Sequence, residues 1–145
     1  MTLIAKLLPH HYQKLVIVGG GVGGWIATLI GLELETKVTG FVGLAADPDF
    51  THNLLLRYLP RNKMEEIDNE GKAIIQWGQA SYPVTKKLIE DASDNLVLQG
   101  PVGGLPMHCP VRLIHGLDDE EVPYTVSLDL ARRLASRNVN LYLVK

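Results

Sequence analysis

Two short stretches hold residue types in an order that could do chemistry. The first is Gly19-Gly20-Gly21-Val22-Gly23-Gly24, between the apolar run Leu15 to Val18 and a helical apolar pattern that begins at Trp25. Gly19, Gly21 and Gly24 fit G-x-G-x-x-G, whose glycines turn the chain tightly, admit a pyrophosphate and let helix pack on strand. That fingerprint also needs an acidic residue ending the second strand, about 20 residues on, to hold a ribose. Glu33 and Glu35 precede the second strand, and Asp47 follows it only after Ala45 and Ala46. The same loop also aligns with G-x-S-x-G, a strained strand-to-helix turn that mounts a nucleophile. In that register Gly19 and Gly23 are the small flanking residues and Gly21 stands in the nucleophile's place. Val22 supplies an amide aimed at a developing oxyanion. A plain turn with glycines for packing alone is the third reading, and the loop by itself leaves all three open.

The second stretch is His115-Gly116-Leu117-Asp118-Asp119-Glu120-Glu121-Val122-Pro123, which follows the β-type run VRLIH. A carboxylate at the C-terminal end of a strand can orient and stabilise an imidazolium. A solvated acidic turn before a helix is the alternative. The five histidines read as structural or exposed. His10 and His11 fall in a loop, His52 at a helix start, and His108 in a connector. His115 should bond backbone or the nearby carboxylate. Cys109 reads as a small core residue rather than a nucleophile. Trp25, Trp77 and Tyr124 read as core or pocket lining. No histidine, cysteine and carboxylate cluster has metal-ligand spacing.

The elements that must position these residues follow from periodicity and turn residues. Lys14 to Val18 reads as a buried strand, Trp25 to Leu34 as a helix, and Lys37 to Leu44 as a second strand. A strand–helix–strand unit of this length implies a right-handed crossover and a parallel pair. The turn Ala46 to Phe50 holds an expected N-cap for a helix over Phe50 to Tyr58. A charged helix over Pro60 to Glu70 should end at Gly71. KAIIQW reads as a strand or extended segment, and YPVTKKLIEDA as a helix with Pro83 near its first turn. Together, residues from about 47 to 108 read as a cap inserted into one domain of residues 1–145. Regular alternation resumes with a strand at Val111 to His115, a helix at Val126 to Ser136 and a strand at Val139 to Val144. On that helix Leu128, Ala131 and Leu134 form the apolar line. Met1 to Leu8 reads as a short helix feeding the first strand. The sum is the pattern of a parallel α/β sheet.

Four stretches carry a resemblance: VGGGVGGW, GFVGLAADPDFT, YPVTKKLIEDA and CPVRLIHGLDDEEVPYTVSLDLARRL. In that order, over nearly all of the chain, they resemble the α/β-hydrolase superfamily. More narrowly they resemble the mycophenolic acid acyl-glucuronide esterase and palmitoyl-protein thioesterase family. The resemblance implies a parallel-sheet α/β-hydrolase fold with a helical cap, truncated here at both ends. It implies hydrolysis of carboxylic esters and acyl thioesters through a Ser-Asp-His triad, with no cofactor and no metal. By register with HG-x-x-D-x-x-VP it assigns Asp119 as triad acid, with Asp118 pointing elsewhere, and Val22 as an oxyanion-hole amide. The family has Ser-Met or Ser-Leu where this chain has Gly21-Val22, and its histidine follows the last strand, where this sequence stops at Lys145. The expectation is therefore a chain that does not itself turn over ester. A non-catalytic acyl-binding protein and an FAD- or NAD-binding oxidoreductase fragment are the alternatives.

Bulk composition narrows the partners. With 46% apolar and 21% charged residues the chain has enough apolar content for a core without staples. A net charge of −2 gives no electrostatic case for nucleic acid or an anionic membrane. A single cysteine excludes an internal disulfide. No apolar run reaches membrane-spanning length. The expected partner is a small acyl ester or an acylated-protein thioester, with no nucleic acid and no membrane span. The expected location is cytoplasmic or mitochondrial.

Overall fold

The computed structural model describes residues 14–145. The helix read at Met1 to Leu8 and the loop histidines His10 and His11 lie outside the described residues. Four strands, β1 (Leu15–Gly20), β2 (Val38–Leu44), β5 (Val111–Gly116) and β6 (Val139–Val144), form one parallel sheet in the order β1-β2-β5-β6. Helix α1 (Gly21–Glu33) crosses from β1 to β2, and α5 (Thr125–Arg133) from β5 to β6. Between β2 and β5 the chain makes a π-helical turn (Thr51–Leu55) running into α2 (Leu56–Tyr58), then α3 (Arg61–Glu70). An antiparallel hairpin of β3 (Lys72–Trp77) and β4 (Ala80–Thr85) follows, and then α4 (Lys86–Ser93).

Alternation along the strands decides what is buried. Phe41, Val111 and Leu113 point to one face and are almost fully buried, with Ile17 and Leu141 packed beside them. Trp25 and Ala27 of α1 and Leu130 of α5 close that face. Each such side chain contributes roughly 1.5–3 kcal/mol on burial. Val16, Val18, Ile114, Tyr142 and Val144 are exposed. Cross-strand pairing of Val18 with Val42, Leu44 with Ile114, and Ile114 with Tyr142 sets them on the opposite face. The hairpin and α3 build a second small core from Leu55, Ile67, Ala73, Ile75 and Val84. Phe50 packs against both cores, with its ring 6.0 Å from Trp25 in an edge-on arrangement.

Several expected boundaries move. α1 begins at Gly21 rather than Trp25, since Val22 to Gly24 of the glycine turn already belong to the helix. The segment expected to open a helix at Tyr82 instead forms β4, and α4 starts at Lys86. A residue before proline avoids the helical region, and a hairpin edge tolerates proline. Thr85 then caps α4, its hydroxyl accepting from the Leu88 amide at 3.0 Å. The N-cap expected within the turn Ala46 to Phe50 is not formed, since the helix after it has no side-chain cap. α5 ends at Arg133 rather than Ser136. The Leu105 amide donates to the Arg133 carbonyl (2.8 Å) and its own carbonyl accepts from the Ala135 amide (2.8 Å), drawing the chain out of the helix. The buried residues of α5 are Ser127 and Leu130, whereas Leu128 is only half-buried.

Candidate active site

All four parallel strands end at one edge of the sheet, where open α/β folds gather their ligands. Three loops meet there: Gly21 after β1, Ala45 to Asp49 after β2, and Leu117 to Val122 after β5. Backbone bonds join them. Ala45 donates to Ile114, Asp47 to Gly21 (2.9 Å), and Leu117 to Val144 (2.7 Å). The loops are therefore held as extensions of the sheet.

Gly21 has φ +51°, and a Cβ built on it would meet nothing within 4 Å. The position is sterically open but conformationally strained for an L residue. That combination suits a turn that displays a side chain into a site, here occupied by glycine. Val22 is in the first turn of α1, where amides have no carbonyl partner within the helix. The small-residue requirement falls partly elsewhere than expected. A Cβ on Gly19 would lie 2.5 Å from the Gly23 carbonyl oxygen and 2.7 Å from the Ala27 Cβ. A Cβ on Gly24 would lie 2.5 Å from that of Ala46, whereas Gly23 itself has open space. The crowded pair is thus Gly19 and Gly24, and protein atoms account for both.

Asp119 ends the β5 loop. Its Oδ1 accepts the amides of Glu121 (3.0 Å) and Val122 (2.9 Å), which closes a turn and fixes the carboxylate. Asp118 is exposed. His115 is buried, with Nε2 donating to the Val122 carbonyl (2.8 Å) and Nδ1 paired with the Ser127 hydroxyl (2.7 Å). Asp119 Oδ2 is 3.6 Å from that Nε2. Both ring nitrogens are thus committed to structure, and the imidazole braces the acidic loop against α5. His52 is exposed on the π-helical turn, and His108 lies 3.3 Å from Glu35 at the surface. Burial pushes the Cys109 thiol up, as expected of a packing residue.

A cavity of about 410 Å³ opens beside Gly21 and Val22. Its walls are Phe50, Leu55 and Ile75, with Trp77, Tyr82, Pro83, Val84 and Leu88 from the hairpin and α4. Val122, Glu121 and Asp47 complete it. Trp77 lines the cavity and Trp25 lies in the core, as the sequence allowed, but Tyr124 is exposed and lines neither. Among the described residues no group of histidine, cysteine and carboxylates could hold a metal ion. No helix among them is long and apolar enough to cross a membrane.

Two aspartates of the turn Ala46 to Phe50 prove central. Asp49 is fully buried at φ +62°, and its carboxylate accepts the amides of Val97 and Leu98, both at 2.8 Å. It ties the β2 loop to the segment after α4. Asp47 is 4% exposed, and its Oδ1 has no hydrogen-bond partner. Burial, reinforced by the carboxylates of Asp119 and Asp49, pushes it up to about 7. The sequence signal was only an acid just past a strand end. Such a position says nothing of burial.

No protein-family model matches the chain. It is 31% identical over 135 residues to the mouse protein named palmitoyl-protein thioesterase ABHD10, mitochondrial, covering 90% of this chain and 43% of that protein. The solved structure of mouse α/β hydrolase domain-containing protein 10 superposes with a TM-score of 0.82 at 27% identity, over 99% of this chain and 57% of that one. A protein from Agrobacterium vitis S4, assigned as a hydrolase, superposes with a TM-score of 0.81 at 31% identity, over 92% and 53%. The chain thus spans less than half the length of the curated relatives it matches.

Proposed function

We infer that this chain, which carries the α/β-hydrolase fold and resembles mitochondrial palmitoyl-protein thioesterases, holds an acyl group in its cavity without attacking it from the elbow. The observation that carries this reading is Gly21, an open elbow residue in left-handed backbone without a nucleophile, lining an apolar cavity. In this reading Val22 offers the oxyanion amide and Asp119 is the acid of the site, while residues from about 47 to 108 form the cap over the bound chain. The relatives named as thioesterases support an acyl ester or thioester as the ligand class. Their naming as mitochondrial also supports a mitochondrial setting.

The chemistry explains why attack is not expected from the described residues. An acyl-enzyme needs a nucleophile and an adjacent base. Glycine supplies no nucleophile, and His115 has both nitrogens engaged. What remains is orientation and one amide donor, which bind an acyl carbonyl without cleaving it. Two carboxylates, Asp47 and Glu121, line the cavity and would repel a pyrophosphate, so the glycine loop is read as an elbow.

The test uses a neutral acyl ligand that cannot be hydrolysed easily, N-methyloctanamide. Its binding is followed by tryptophan emission, with Trp77→Phe identifying the reporting ring. Saturable 1:1 binding that Val84→Glu abolishes is expected. Absence of saturation would remove the acyl-binding reading. In parallel, p-nitrophenyl octanoate should be hydrolysed no faster than in buffer.

A further inference from the structure

We propose that the head-group end of this cavity is a cation site, selecting an amphipathic ligand with an ammonium group over a neutral or anionic ligand of the same chain length. The proposal rests on the acyl-cavity reading above and specifies what the polar end of the ligand is. Its ground is Asp47, a side chain 96% buried by its 4% exposure, lining the cavity with Oδ1 unpartnered. A buried polar atom without a partner is unfavourable, and native folds seldom keep one unless something pairs with it.

The sign of that partner follows from the surroundings. On Asp47's own loop stands Asp49, and on the β5 loop stand Asp119 and the cavity-lining Glu121. The hairpin and α4 present only Ile75, Trp77, Tyr82, Pro83, Val84 and Leu88. Among the described residues, no lysine or arginine lines the cavity. The start of α1 contributes roughly half a positive charge, set against these carboxylates. An anionic head would add another like charge. A cation instead relieves the mutual repulsion and pairs with Oδ1. Aromatic walls also suit an ammonium, since ring faces attract cations. Burial and the neighbouring acids push Asp47 up to about 7, so cation binding should draw a proton from it and strengthen as pH rises through that value.

The experiment compares octylammonium, octanol and octanoate on the full chain and on Asp47→Asn, by calorimetry at pH 8. Expected is octylammonium binding about tenfold tighter than octanol, with octanoate weakest. Asp47→Asn should bring octylammonium and octanol within about twofold. Octanol binding with no preference for octylammonium, or a preference that survives Asp47→Asn, would overturn the cation site and leave the acyl cavity standing. Octanoate binding tightest would also overturn it, since Asp47 would then act as a donor. Failure of all three to bind would overturn both readings.

Discussion

At the scale of single residues, the acids near the sheet edge differ by what surrounds them. Asp119 and Asp49 each accept two backbone amides, so their charge is met by hydrogen bonds. Asp47 has no such partner at Oδ1, and its proton affinity rises from 3.8 to about 7. The folded state therefore binds this proton more tightly than the unfolded chain. Its contribution to stability is fully present below pH 3.8 and is lost as pH rises to about 7. The change is at most about 4 kcal/mol. Asp47→Asn should flatten that part of the profile and raise the melting temperature at pH 8, as thermal scans from pH 4 to 8 would show. Asp49→Ala should act in the opposite sense. It leaves the Val97 and Leu98 amides buried and unpaired, a loss of about 2–4 kcal/mol by chemical denaturation. The sequence displayed both aspartates in one turn, AADPDF, and nothing in their spacing separates an amide-bonded acid from an orphaned one. The amides that meet Asp49 come from the segment near residue 97, almost 50 positions away.

At the scale of elements, the glycine loop supports a graded test. Gly19 and Gly24 have no room for a Cβ, Gly21 has room but a left-handed backbone, and Gly23 has room within a helix. Gly19→Ala and Gly24→Ala should each cost about 1–3 kcal/mol through overpacking. Gly21→Ala should cost about 1 kcal/mol from backbone strain alone. Gly23→Ala should be neutral or stabilising by up to about 1 kcal/mol. Urea unfolding of the four variants would show whether that order holds. The strand–helix–strand units around this loop were legible because each is a local pattern with a clear period. The segment Tyr82 to Thr85 was not, since Pro83 suits the first turn of a helix as well as a hairpin edge. Only pairing with Lys72 to Trp77 decides between them. One position of the expected α5 line differs for a similar reason, while Ala131 and Leu134 pack on the core. Apolar Leu128 suggested one line, but His115 required the Ser127 hydroxyl inside.

At the scale of the whole molecule, both sheet-packing helices, α1 and α5, lie on one face. Val16, Val18, Ile114, Tyr142 and Val144 are left exposed on the other. Contiguous apolar surface of this kind favours association. The isolated chain should bind a hydrophobic dye in its native state and self-associate as concentration rises. Val18→Lys should reduce both effects in sedimentation and dye-fluorescence measurements. The order of the strands and the gathering of Gly21, Asp47 and Asp119 at one edge follow from parallel topology. The motifs predicted that edge, while the cavity depends on where the hairpin folds back. The chemistry of the site turns on Gly21. The most direct measurement is the intact mass of the chain after exposure to an alkyl fluorophosphonate, alone and with Gly21→Ser. No adduct on the chain is predicted, and no turnover of p-nitrophenyl octanoate by either form, because His115 stays engaged with Val122 and Ser127. Stoichiometric labelling of the unaltered chain at any serine, with ester turnover above buffer, would contradict it.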